Sequence, residues 1–65
     1  MDEQQAVALA NLLGGSAWNS GGGIWLVRLE RADGKLVVMS DETVCEYDSE
    51  EAWEASSPTA CIDLL

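Results

Sequence analysis

Carboxylates are the only plentiful reactive side chains in this chain. Its 65 residues hold twelve Asp and Glu, three Lys and Arg, two Cys and no His. Without imidazole, the usual proton shuttle near neutral pH is missing. Cys45 and Cys61 stand in acidic stretches, which raise a thiol pKa instead of producing the thiolate that nucleophilic chemistry needs. Carboxylate pairs can cleave glycosidic bonds, but only across a cleft that holds them about 5 to 9 Å apart. A chain this short rarely shapes one without dimerising. No catalytic residue is expected, and the chain reads as a non-enzyme.

Metal and cofactor chemistry fare no better. Asp41-Glu42 and Asp48-Ser49-Glu50-Glu51 supply hard oxygen ligands suited to Ca²⁺ or Mg²⁺. They lack the turn Gly and the closing Glu of a twelve-residue calcium loop. Two Cys without His cannot complete a zinc set. Gly21-Gly22-Gly23 could expose backbone N–H groups to a phosphate. No Lys follows in the required spacing, however, and the next segment reads as a strand, so no helix N-terminus meets the anion. The glycines read as a structural hinge or a hairpin loop. The sequence calls for neither a metal nor a cofactor.

Charge is the strongest functional signal. The formal net charge is −9, and from Leu36 onward there are eight acids (Asp41, Glu42, Glu46, Asp48, Glu50, Glu51, Glu54, Asp63) and no base. Such a half-chain repels nucleic acid phosphates and anionic lipid, which are bound through Lys and Arg. Direct contact with nucleic acid or a membrane is not expected. Solvation by like charge is the plain reading. The sharper one is a docking face in which Glu42 and Glu46 on a strand lie beside Glu50 and Glu54 on the following helix, facing a basic protein. Trp18, next to the glycine loop, has no place in the packing scheme. It is either an interface anchor or a lid on the edge of a small core.

Positioning these groups requires a fold. Asp2 to Leu13 predicts a helix: Asp2 caps it, Gln5 completes a capping box, and Ala6, Leu9, Ala10 and Leu13 form its apolar stripe, broadened by Val7 and Leu12. Gly14-Gly15 ends it. Ser16 to Ser20 is ambiguous: Ala17 and Trp18 could begin a short strand, and Asn19-Ser20 leads into the glycines as a turn or flexible loop. Ile24 to Arg31 is the clearest strand, with Trp25, Val27 and Leu29 on one face. Ala32-Asp33-Gly34 predicts a hairpin returning through Leu36 to Ser40. A three-residue loop with a glycine bulge would pair Leu29 with Val37, and a two-residue turn would shift the register. Thr43 to Tyr47 predicts a third strand. Asp48 and Glu51 form a second capping box over a short helix carrying Ala52, Trp53 and Ala55, ended by Ser56-Ser57-Pro58. Thr59 to Leu65 is a tail strand.

The expected class is α+β over a single domain, residues 1–65. An N-terminal helix and a short second helix pack on one face of a small antiparallel meander of three to four strands. Ile24, Leu26, Leu36 and Val38 would then decorate the uncovered face. That surplus predicts a homodimer or larger assembly, hence a self-associating structural or regulatory module. The alternative is an acidic adaptor or nucleic-acid mimic bound to a basic protein. The strand parities place Cys45 inward and Cys61 at the surface, which predicts free thiols. With an acidic start unlike an export signal, this suggests a cytoplasmic protein.

Overall fold

Asp2 begins the first helix as the sequence requires. In the computed structural model, which describes residues 1–64, its side chain accepts from the Gln5 backbone N–H at 2.8 Å. The Gln5 side chain accepts from the Asp2 N–H at 3.2 Å, closing the capping box. Helix α1 runs Glu3–Leu13. Gly14 then turns left-handed (φ 76°), and the Gly15 N–H donates to the Ala10 carbonyl at 2.8 Å, satisfying a carbonyl that the helix end would leave bare.

Strands β1 (Ser16–Asn19), β2 (Trp25–Glu30), β3 (Leu36–Met39) and β4 (Thr43–Tyr47) follow, then helix α2 (Glu50–Glu54) and strand β5 (Ala60–Asp63). The five strands form one antiparallel sheet in sequence order. The α+β class is as the sequence predicts, but the sheet has five strands rather than three to four. Both short terminal strands gain ladder hydrogen bonds that sequence propensity does not register. Between β2 and β3, Leu29 pairs with Val37 and Val27 with Met39. Arg31 donates to the Lys35 carbonyl at 2.8 Å, and Gly34 takes a φ of 87°. The three-residue loop is therefore the register adopted.

The register sorts side chains between two faces. Ala17, Val27, Met39, Val44 and Ile62 stand in one cross-strand row. Helix α1 covers the β1–β2 side of this face: Ala6, Ala10 and Val27 are buried together, with Met1, Leu9, Trp25 and Met39 packed around them. The small Ala side chains let the helix lie close to the sheet. Val7 and Leu12 do not join the stripe and stay exposed, Leu12 at 81%, because contact through two alanines is too narrow to reach the helix flanks. Where α1 ends, Gly15 lies against the Arg28 carbonyl, with no space there for a Cβ.

The second helix does not share that face. Trp18 pairs with Leu26, and Arg28 with Ser16 and Val38, so all of these point away from α1. Trp53 of α2 rests on Trp18 and Arg28. One helix per face is the arrangement, not two on one face. The short connection from Tyr47 to Ser49 turns the chain over the side of the sheet that α1 leaves open. On this face Leu36 and Val38 are buried, at 3% and 7% exposure, and Leu26 is half-buried. The apolar surplus expected on an open face is largely absorbed within one chain. Only Ile24 of that group remains well exposed. The cap of α2 also differs: the Ser49 hydroxyl, not the Asp48 carboxylate, accepts from the Ala52 N–H at 3.2 Å. A side chain one residue closer reaches the third helical N–H directly.

Cys45 and Cys61 form a disulfide, contrary to the free thiols expected. They are direct cross-strand partners of β4 and β5, with Cα atoms 4.1 Å apart. Parity counted along each strand cannot place them on one face, because the β4–β5 register decides it. The bridge closes a loop around α2, with 16 residues of sequence separation. It also anchors a strand whose four residues are all exposed. In the turn before β4, the Met1 α-ammonium donates to the Asp41 carboxylate at 3.0 Å. That bond, with a backbone N–H of Asp41, holds this carboxyl below its ordinary range. Its small contribution to stability is present above the usual carboxylate pKa and is lost as pH falls through the lowered value.

Two stability measurements check this account. Replacing both cysteines by Ala is expected to cost about 3 kcal/mol, the loop-entropy value for a bridge of this span, read by urea unfolding against the oxidised protein. Gly15→Ala should cost about 1–3 kcal/mol by forcing a methyl group into the Arg28 backbone. Loss of less than a few tenths would remove the close-approach explanation.

Candidate functional site

Arg28 organises the face under α2. It lies at the middle of β2, its side chain only 18% exposed, and its guanidinium carbon sits 4.2 Å from the Trp53 ring centroid. One guanidinium nitrogen donates to the Glu50 carboxylate at 3.1 Å. Nε is buried without a hydrogen-bond partner among the described residues, so the charge is held by one carboxylate and one indole face. A cation so placed gains from the ring quadrupole, and gains more as water is removed. The pairing also orients α2: Glu50 and Trp53 are three residues apart and share the helix side that meets the sheet.

Trp18 completes the corner. Its ring meets Trp53 edge-to-face, with centroids 4.9 Å apart and planes inclined by 74°, a geometry favoured by the opposed charges of ring edge and face. Trp18 stays 42% exposed. The ring packs on the edge of the core against Trp53 and leaves the rest of its surface in solvent. Ser20, Leu26, Glu54 and Ser56 join the two indoles in lining an open groove of about 450 Å³. Ser56 follows α2 in a left-handed conformation (φ 54°). The Ser56 N–H donates to Trp53, and Ser57 donates to Ala52, the bonding pattern of a glycine-type helix stop carried by Ser.

The four glutamates do not form one patch. Glu46 pairs with Val37 in the ladder, on the α1 side, and binds Arg31 at 2.7 Å and Lys35 at 3.6 Å. Glu42 lies in the β3–β4 turn, where its N–H donates to the Ser40 hydroxyl at 3.2 Å. Glu50 is bound to Arg28 on the opposite face. Glu54 lines the groove and has no ion-pair partner among the described residues. Of the residues singled out from sequence, Trp18 and Glu54 are brought together, with Glu50 close behind. Glu42 and Glu46 are elsewhere. Sequence reading missed Arg28 and assigned Trp53 only to packing. The one signal for them was the like-charge pair Glu50 and Glu54, which is unfavourable unless a cation sits opposite.

Among the described residues, no three His, Cys, Asp or Glu side chains group as a metal site would require, and no helix is long and apolar enough to cross a membrane. No protein-family model, curated protein or solved structure matches the chain.

Trp53→Ala should destabilise by about 2–4 kcal/mol, since it removes a packed indole and strands the Arg28 charge. Trp18→Ala should cost about 1 kcal/mol, and a double-mutant cycle should return a coupling of about 0.5–1.5 kcal/mol. Thermal and urea unfolding of the three variants measures all of these, and a vanishing coupling would remove the edge-to-face contact from the account.

Proposed function

We propose that this chain is a non-enzymatic binding module that docks on a basic protein surface. One observation carries the reading: every Arg and Lys is committed to an internal ion pair. Arg28 is held by Glu50, Arg31 by Glu46 and Asp33, and Lys35 by Glu46. Glu30, Glu42, Asp48, Glu51, Glu54 and Asp63 have no such partner among the described residues. The outward field is therefore dominated by negative charge: Arg31 and Lys35 reach the surface but are each paired to a carboxylate, which disfavours phosphate and lipid headgroups. Such a field can raise association with an oppositely charged protein by roughly ten- to a thousandfold, an advantage that salt removes.

Self-association is the second reading. Burial of Leu36 and Val38 takes away much of its original support, and two copies would each bring a charge of −9. It retains one specific observation: Ile62 and Leu64, at 66% and 53% exposure, stand at the outer edge of the sheet beside half-buried Val44. The cytoplasmic placement expected from free thiols loses that support once Cys45 and Cys61 are bridged.

Titration with a synthetic lysine-rich peptide, followed by tryptophan fluorescence at low and high salt, tests the docking reading. Saturable binding that weakens steeply with salt is expected, with light scattering giving a 7.0 kDa particle in the absence of peptide. A dimer mass with no response to the peptide would reverse the order of the two readings.

A further inference from the structure

Resting on that reading, we propose that the Trp18–Trp53 groove receives one lysine side chain of the partner, with Glu54 as its counter-ion. The chain already contains the pattern once. Arg28 lies on the Trp53 ring at 4.2 Å with Glu50 at 3.1 Å, giving a cation, an indole and a carboxylate from α2. One helical turn further, Glu54 repeats the carboxylate and Trp18 adds an indole, but the cation is lacking. Glu50 and Glu54 lie on the same side of the helix, so a second cation would also relieve their mutual repulsion.

No cation among the described residues is free to supply that charge: Arg28 is held by Glu50 and the Met1 ammonium by Asp41. Arg31 and Lys35 flank the β2–β3 loop and are bound to Glu46 on the α1 side of the sheet. It must come from another molecule. The groove shape selects the kind. Two indoles inclined at 74° make a corner, which suits a compact ammonium head better than a planar guanidinium that stacks flat on one face. An ammonium has three donors and no acceptor. Glu54, Ser20 and Ser56 line the groove, and a carboxylate and two hydroxyls have lone pairs to accept from it, although the Ser20 hydroxyl already donates to the Ile24 carbonyl at 3.1 Å. Leu26 and the exposed part of Trp18 provide an apolar wall for the methylene stem. The volume of about 450 Å³ accommodates such a side chain and is open to solvent, as a site for a residue on another protein's surface must be.

The test uses the oxidised protein and three small probes: N-acetyl-lysine methylamide, its neutral norleucine analogue and its arginine analogue. The readout is the NMR shift of the Trp18 and Trp53 indole N–H resonances. The lysine probe should move both resonances saturably, the norleucine analogue neither, and the arginine analogue should bind more weakly than lysine. Glu54→Gln should weaken the lysine probe by about fivefold or more. Glu51→Gln makes the same charge change outside the groove and should leave affinity nearly unchanged. Trp18→Ala, its fold checked by circular dichroism, should abolish the response at Trp53. Equal effects of Glu54→Gln and Glu51→Gln, or equal shifts from lysine and norleucine, would overturn the proposal. If the lysine-rich peptide still binds with steep salt dependence in that case, the acidic docking reading survives and the groove is not its site. If the lysine probe binds but the peptide does not, the groove stands and the docking reading falls.

Discussion

The stacking of Arg28 on Trp53 is the contact on which the second layer of this protein depends. A five-stranded sheet has two faces to cover, and α1 covers only part of one. The other face has only a helix of five residues with none fully buried. So short a helix is not stable by itself. It is held because Arg28 places a charge midway along β2, where Trp53 and Glu50 can satisfy it together. Removing any one of the three leaves the others exposed to water or, for Arg28, charged and partly desolvated. The same contact brings Trp53 against Trp18 and so creates the groove.

Small side chains solve the problem of size. Few residues in the chain are fully buried, and Val27 is the largest of these below 2% exposure. With so little apolar volume, the chain gains stability from close approach and from restriction of the unfolded state. Ala6 and Ala10 bring α1 down onto Val27, and Gly15 lets the chain pass against the Arg28 backbone. The Cys45–Cys61 bridge ties down the strand that has least burial to hold it. Small domains commonly need such a staple, because their cores alone supply little surplus.

Charge organisation and fold are linked through the same few residues. Three bases serve twelve acids, and all three are spent inside the structure. Arg31 and Lys35 gather on Glu46 beside the β2–β3 loop, and Arg28 turns to the other face. The consequence is an excess of unpaired acids, one of which, Glu54, stands at the aromatic corner. On the proposed docking reading, the acidic field would attract a basic partner and the aromatic corner would discriminate among its side chains.

Local rules made the elements legible from sequence. The capping box at Asp2 and Gln5, the glycine stop after Leu13, the alternation around Val27 and the turn at Gly34 each depend on residues within a few positions of one another. Each appears as read. The sequence alone also determined the excess of negative charge, since eight acids follow Lys35 with no base among them. What tertiary structure decided was every relation that spans the sheet. The pairing of Cys45 with Cys61 required the β4–β5 register, α2 crossed to the face that carries Leu36 and Val38, and the separation of Glu46 from Glu50 followed from Arg31 and Arg28 lying on opposite sides. Side-chain alternation tells which residues of one strand share a face. Which face that is, and what covers it, is set by hydrogen-bond register and by packing between segments distant in the chain.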